Sequence, residues 1–184
     1  MAILLTALML AAPMGPSEPP KVGDKAPAFD VRTLDRKPVR LVPLLKQGPV
    51  VLVMLRGFPG YQCPLCTRQV GELFAKAEEF AKRKATVVLV YPGPSAELER
   101  RAGEFVAGKD IPAGFRFTID PDYAFTKIYG LRWDADGETA YPSTFVIGRD
   151  GRIAYAKVSR SHGDRAPVKE ILAALQKSSS SERS

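Results

Sequence analysis

Residues 49–55 read PVVLVML, a run with no polar side chain to turn toward water. A strand that shows one face to solvent alternates apolar with polar. A strand that is apolar and β-branched throughout belongs in a sheet covered on both faces. Parallel sheets are covered in this way, because each crossover lays a helix on a face. Residues 86–91 (TVVLVY) repeat the pattern and meet the breaker Pro92-Gly93-Pro94. Between the two runs Cys66, Val70, Leu73, Phe74, Ala77, Phe80 and Ala81 recur at helical spacing, which predicts one amphipathic helix. Residues 96–106 read as a charged helix and 115–119 as a short strand, and Asp120-Pro121-Asp122 opens a short helix that reaches Tyr129. Residues 143–147 and 153–158 are apolar runs around Arg149-Asp150-Gly151-Arg152, a D-G hairpin signal. Residues 166–175 close with a helix. The order predicts an α/β fold, a mixed central sheet flanked by helices, with a parallel core and antiparallel strands added by the hairpin.

A chain of 184 residues with 45% hydrophobic and 26% charged residues fills one domain and can bury a core without staples. That domain is expected over residues 21–176, with 21–45 packing as an N-terminal extension. Residues 2–12 (AILLTALMLAA), followed by the Pro-rich 13–20, resemble a secretory leader and linker. The expectation is an exported chain, in the periplasm or cell envelope. No Lys or Arg precedes the run and no A-x-A motif follows it, so a cytoplasmic chain with a buried first helix is the alternative. The run is shorter than the ~20 residues of a spanning helix, so no stable membrane anchor is expected. Residues 177–184 (KSSSSERS) have nothing to bury and predict a disordered tail. The net charge of +7 is densest in residues 21–60 and balanced beyond. Without basic repeats interleaved with aromatics it reads as a solvated surface, and no nucleic-acid partner is expected. No phosphate-cradling glycine loop and no Ser-His-Asp signature is present.

The chemistry concentrates in residues 56–69, RGFPGYQCPLCTRQ, between the first buried strand and the amphipathic helix. Both cysteines of the chain, Cys63 and Cys66, stand there three residues apart. A thiol at a helix start meets unpaired backbone N–H groups, which favour the thiolate. Pro64 suits the first helical turn, where its missing donor costs nothing. A disulfide across one turn constrains little chain, so this pair points to redox chemistry and not to a structural bridge. Structural zinc needs four ligands, and the only histidine is His162. No metal and no organic cofactor are expected. Tyr61 and Gln62 flank the thiols as candidates to shape substrate access. Trp133 reads as a packing residue.

These residues resemble the thioredoxin-fold superfamily, and within it the alkyl hydroperoxide reductase/thiol-specific antioxidant (peroxiredoxin-like) family. The resemblance extends from the entry segment Val22-Gly23-Asp24 to about Leu175 and includes Ser143-Thr144-Phe145-Val146-Ile147 in the late hairpin. It implies a thioredoxin-like fold and a thiol peroxidase that takes a hydroperoxide substrate and a thiol reductant protein. The family motif P-x-x-x-T-x-x-C is matched by Pro59 and Cys66, with Cys63 where the family has threonine. On that alignment Cys66 attacks peroxide and Cys63 captures the sulfenic acid. The family's arginine before the late strand is replaced by Pro142, which leaves Arg56 as the candidate to hold the thiolate. Tyr141-Pro142-Ser143-Thr144 also resembles the cis-proline loop of thioredoxin-like disulfide oxidoreductases, where the first cysteine attacks. That alternative makes Cys63 the nucleophile toward protein disulfides and Cys66 the resolving thiol. A third resemblance, to Cu(I)-delivery proteins of the same fold, would make His162 a ligand beside the two thiolates. The oligomeric state is not readable from the sequence.

Overall fold

A computed structural model of the chain describes residues 18–181. The apolar run at 2–12 lies outside the described residues. Seven strands form one sheet: β1 (Asp30–Thr33), β2 (Pro38–Arg40), β3 (Val50–Met54), β4 (Thr86–Gly93), β5 (Phe115–Pro121), β6 (Ser143–Ile147) and β7 (Ile153–Val158), in the spatial order β2-β1-β5-β4-β3-β6-β7. β3, β4 and β5 are parallel, and β6, β7, β1 and β2 add antiparallel strands at the two sides. The helices are α1 (Leu41–Leu45), α2 (Pro64–Phe74), α3 (Ala77–Lys82), α4 (Ser95–Val106), α5 (Ala124–Ile128) and α6 (Val168–Ser181).

Every residue of β3 is buried. Val51 and Val53 face a core shared with α2, α3, α4 and α6, while Val50, Leu52 and Met54 face a second core with α1 and α5. Two-sided burial is why the run carries no polar residue. At ~1.5–3 kcal/mol per fully buried aliphatic side chain, such strands supply much of the driving force for folding.

Four sequence expectations change. The segment 21–45 is not a mere extension, because β1 pairs antiparallel with β5 and widens the sheet. The helix expected through Ala81 is two helices. The Lys76 N–H bonds to the Leu73 carbonyl where an α-helix would use Glu72, and this tighter turn ends α2. Leu73 and Phe80 still both reach the core, so the apolar spacing survives the break. β4 continues through Pro92 and Gly93. Its partner β3 ends at the Met54–Val90 pair, so the donor missing from Pro92 faces a vacated edge, while β5 still pairs along the other. The C-terminal helix starts at Val168, after Pro167, and runs through Ser181, into the segment expected to be a disordered tail. The Ser178 hydroxyl, in that segment, donates back to the Leu175 carbonyl ahead of it.

Candidate active site

β3 delivers the chain to the thiols. After Met54 the Leu55 N–H still bonds to the Val90 carbonyl, and the Arg56 N–H then donates to Cys66 Sγ at 3.3 Å. The loop turns at Gly57, whose φ is +75° and whose missing Cβ leaves room for the Pro92 carbonyl. Pro59 is half-buried in this loop. Cys63 is the N-cap of α2, with Pro64 at its first position. Its Sγ accepts the Cys66 N–H at 3.4 Å, as a serine oxygen would in that place. Both sulfurs are nearly sealed, the residues being 2% and 1% exposed.

The two thiols titrate apart. A hydrogen bond from the Cys66 thiol, then the Cys66 N–H and the Arg165 guanidinium, bring the Cys63 pKa down to about 5 against the opposing cost of burial. Cys66 is pushed well above its ordinary value by the hydrogen bond it makes to Cys63 and by burial. The reduced pair is therefore one thiolate and one thiol.

The cation beside them is Arg165, in the loop between β7 and α6. Its Nη2 stands 3.8 Å from Cys63 Sγ and 3.6 Å from Cys66 Sγ. Its Nη1 donates to Gln69 Oε1 at 3.2 Å, and its Nε to the His162 carbonyl at 3.0 Å. Gln69 lies one turn beyond Cys66 on α2 and is buried. Arg56, the residue expected to hold the thiolate, reaches only Cys66, and only through its backbone N–H. Its guanidinium is committed to Glu138 at 2.8 Å, to the Tyr61 hydroxyl at 2.6 Å and to the Gly137 carbonyl at 3.1 Å. Glu138 in turn meets His162 Nε2 at 2.8 Å, so this imidazole is engaged by a carboxylate.

Of the flanking candidates, Tyr61 stands at the rim, half exposed. Gln62 faces inward: its Oε1 accepts from the Tyr91 hydroxyl at 2.9 Å and its Nε2 donates to the Arg101 carbonyl at 2.8 Å. It ties the cysteine loop to β4 and α4. Pro142 is buried at the entry to β6, and its carbonyl accepts the Ser159 N–H. No peptide bond among the described residues is cis, so the Tyr141–Pro142 bond is trans and does not reproduce the cis-proline loop. Trp133 does pack, stacked on Tyr141 and tilted against His162. Arg165, Gln69 and Glu138 escaped the sequence reading. A signal that could have found Arg165 is its place just ahead of an apolar helix, where a cation opposes the helix dipole and needs another partner.

A helix-capped dithiol with one stabilised thiolate, at the carboxyl end of a central strand in this sheet, defines a thiol-dependent oxidoreductase of thioredoxin fold. Residues 21–175 match the model of the Redoxin family, and the chain belongs to that family. It is 30% identical to the methylamine utilization protein MauD of Methylophilus methylotrophus over 125 residues, 65% of this chain and 54% of that protein. The chain thus spans about half the length of this curated relative. The crystal structure of the peroxidoxin BcpB of Mycobacterium tuberculosis superposes with a TM-score of 0.68 at 25% identity, covering 85% of this chain and 97% of that one. A protein of Chlorobium tepidum assigned as the thiol:disulfide interchange protein DsbE superposes with a TM-score of 0.62 at 24% identity, covering 84% and 98%. Peroxiredoxins and disulfide exchangers thus share this fold, and a thiol oxidoreductase of either kind needs an external reductant to cycle.

Proposed function

We propose that this chain reduces small hydroperoxides, with Cys63 as the attacking thiolate and Cys66 as the resolving thiol. The observation that carries the reading is the sealed Cys63 sulfur with the Arg165 guanidinium beside it. A sulfur this enclosed admits a two-oxygen oxidant more readily than a disulfide embedded in a protein. On this reading the cation stabilises the negative charge that develops on the departing oxygen. The Cys63 thiolate forms an S–O bond as the O–O bond breaks, giving a sulfenic acid and an alkoxide or hydroxide that takes a proton from water. The Cys66 sulfur then attacks the Cys63 sulfur, its proton leaves with the sulfenic hydroxyl as water, and a disulfide forms. A dithiol protein returns two electrons and two protons. The resemblance assigned attack to Cys66; the hydrogen bonds and the helix start favour Cys63.

One observation favours disulfide exchange as a second reading. The thiolate sits on the first cysteine of C-P-x-C, the position that attacks in the disulfide oxidoreductases this segment also resembles. Residues 2–12 support export of the chain under either reading.

Stopped-flow reaction of reduced wild type, Cys63→Ser and Cys66→Ser with hydrogen peroxide, and separately with oxidised insulin, decides between them. The proposal expects peroxide rates far above free cysteine in wild type and Cys66→Ser, and a free-cysteine rate in Cys63→Ser. Slow peroxide reaction with fast insulin reduction establishes disulfide exchange instead. Fast peroxide reaction that survives in Cys63→Ser and is lost in Cys66→Ser reverses the two roles.

A further inference from the structure

The contacts around the thiols do not end at Arg165. The Glu138 carboxylate, whose side chain is only 12% exposed, is shared between two partners. Its Oε2 takes the Arg56 guanidinium, and its Oε1 takes His162 Nε2 at 2.8 Å. Each partner leads back to sulfur. The Arg56 N–H reaches Cys66 Sγ, and the His162 carbonyl holds Nε of the guanidinium that touches both sulfurs. The next residue, Thr139, donates its hydroxyl to the Arg56 carbonyl and ties the same loop to the end of β3.

We propose that His162, anchored by Glu138, is a positioning residue that keeps Arg165 on the thiol pair. The loop that carries Arg165 has few other anchors. Ser159 is bound at its start through the Pro142 carbonyl, and Asp164 pairs with Lys157 at 2.7 Å on the outer side. Between those points two side chains meet the body of the protein: the Arg160 guanidinium lies over the Tyr141 ring, 4.9 Å from its centroid, and the His162 imidazole fastens the residue whose carbonyl holds Arg165. The imidazole is clamped between the Glu138 carboxylate and the Trp133 ring, whose centroid lies 5.1 Å away. Beside the sulfurs, the guanidinium of Arg165 donates to Gln69 Oε1 and to the His162 carbonyl, and the second of these moves with the loop. A long side chain holds one geometry only when its own contacts are fixed.

The inference rests on the thiolate described above, but not on which oxidant it meets. Its test therefore reads the thiol and not turnover. The midpoint of Cys63 titration, followed by thiolate absorbance at 240 nm and by alkylation with mass-spectrometric assignment, is measured in wild type, His162→Ala, Arg165→Ala and the double variant. Loss of the imidazole should raise the midpoint by about half a unit to one unit, because the cation then spends less time at the sulfur. In the Arg165→Ala background the same change should do nothing further, since no guanidinium is left to position. His162→Gln, whose amide can still donate to Glu138, should restore most of the wild-type midpoint. An unchanged midpoint in His162→Ala overturns the inference. An equal shift with and without Arg165 also overturns it, because the imidazole would then be acting directly. If peroxide reactivity is absent throughout, the proposed peroxidase fails while the titration still decides the role of His162.

Discussion

The thiolate at Cys63 makes the stability of the reduced protein depend on pH, with a size that follows from the site. Its pKa falls from an ordinary 9.0 in the unfolded chain to about 5 in the fold. A group depressed in this way stabilises the fold fully above its unfolded pKa and loses that stabilisation as pH falls through its folded value. The window therefore runs from 9 down to 5. At 1.36 kcal/mol per unit of pKa, linkage gives about 2–3 kcal/mol at pH 7 and less than ~0.5 kcal/mol at pH 5, a difference of about 2 kcal/mol. Cys66, shifted upward, acts with the opposite sign and only above its unfolded value, so it leaves this window untouched. Any other group whose ionisation changes over this range is present in Cys63→Ser as well. Urea unfolding of reduced wild type and reduced Cys63→Ser at pH 5 and pH 7 isolates the thiolate by double difference. Wild type should gain about 2 kcal/mol on the variant between the two pH values. Parallel pH dependence would refute the assignment of the thiolate to Cys63.

Other expectations follow from the same contacts. Cys66→Ala removes the largest stabiliser of the Cys63 thiolate and Arg165→Ala a smaller one, so alkylation against pH should show both midpoints raised, Cys66→Ala further; the reverse order contradicts the causes assigned here. Gly57→Ala places a Cβ against the Pro92 carbonyl at a positive φ and should cost at least ~2 kcal/mol, read as a drop in Tm of several degrees with slower thiol chemistry. Trp133, the single tryptophan, touches the residue that anchors Arg165, so its emission should change as the disulfide forms, and the change should disappear in Arg165→Ala.

The central strands were legible because burial on both faces removes every polar residue, and β3 and β6 lie where the apolar runs put them to within a residue. Residues 86–91 predicted β4, but not its passage through Pro92. That extension depends on which edge of the strand is vacant, a property of the sheet and not of the strand. The break between α2 and α3 was hidden because a tighter turn at Lys76 preserves the apolar spacing on either side of it. The cysteine pair announced itself through spacing, and the N-cap geometry of Cys63 follows from Pro64. Its cation did not. Arg165 lies 99 residues from Cys66, and only closure of β6 and β7 against β3 brings the two together. Arg56, nearer in sequence, looked better placed until Glu138, 82 residues on, claimed its guanidinium. Local pattern names the groups that react, whereas their partners come from the far end of the chain.

Chemical trapping of the first oxidised species addresses the proposed mechanism most directly. Reduced Cys66→Ser is mixed with one equivalent of hydrogen peroxide in the presence of dimedone, and the adduct is located by mass spectrometry. Rapid, near-stoichiometric labelling of Cys63 is the expected result, with Cys63→Ser unlabelled on the same timescale. Labelling of Cys66 in Cys63→Ser at the wild-type rate, or no labelling faster than that of free cysteine, would contradict it.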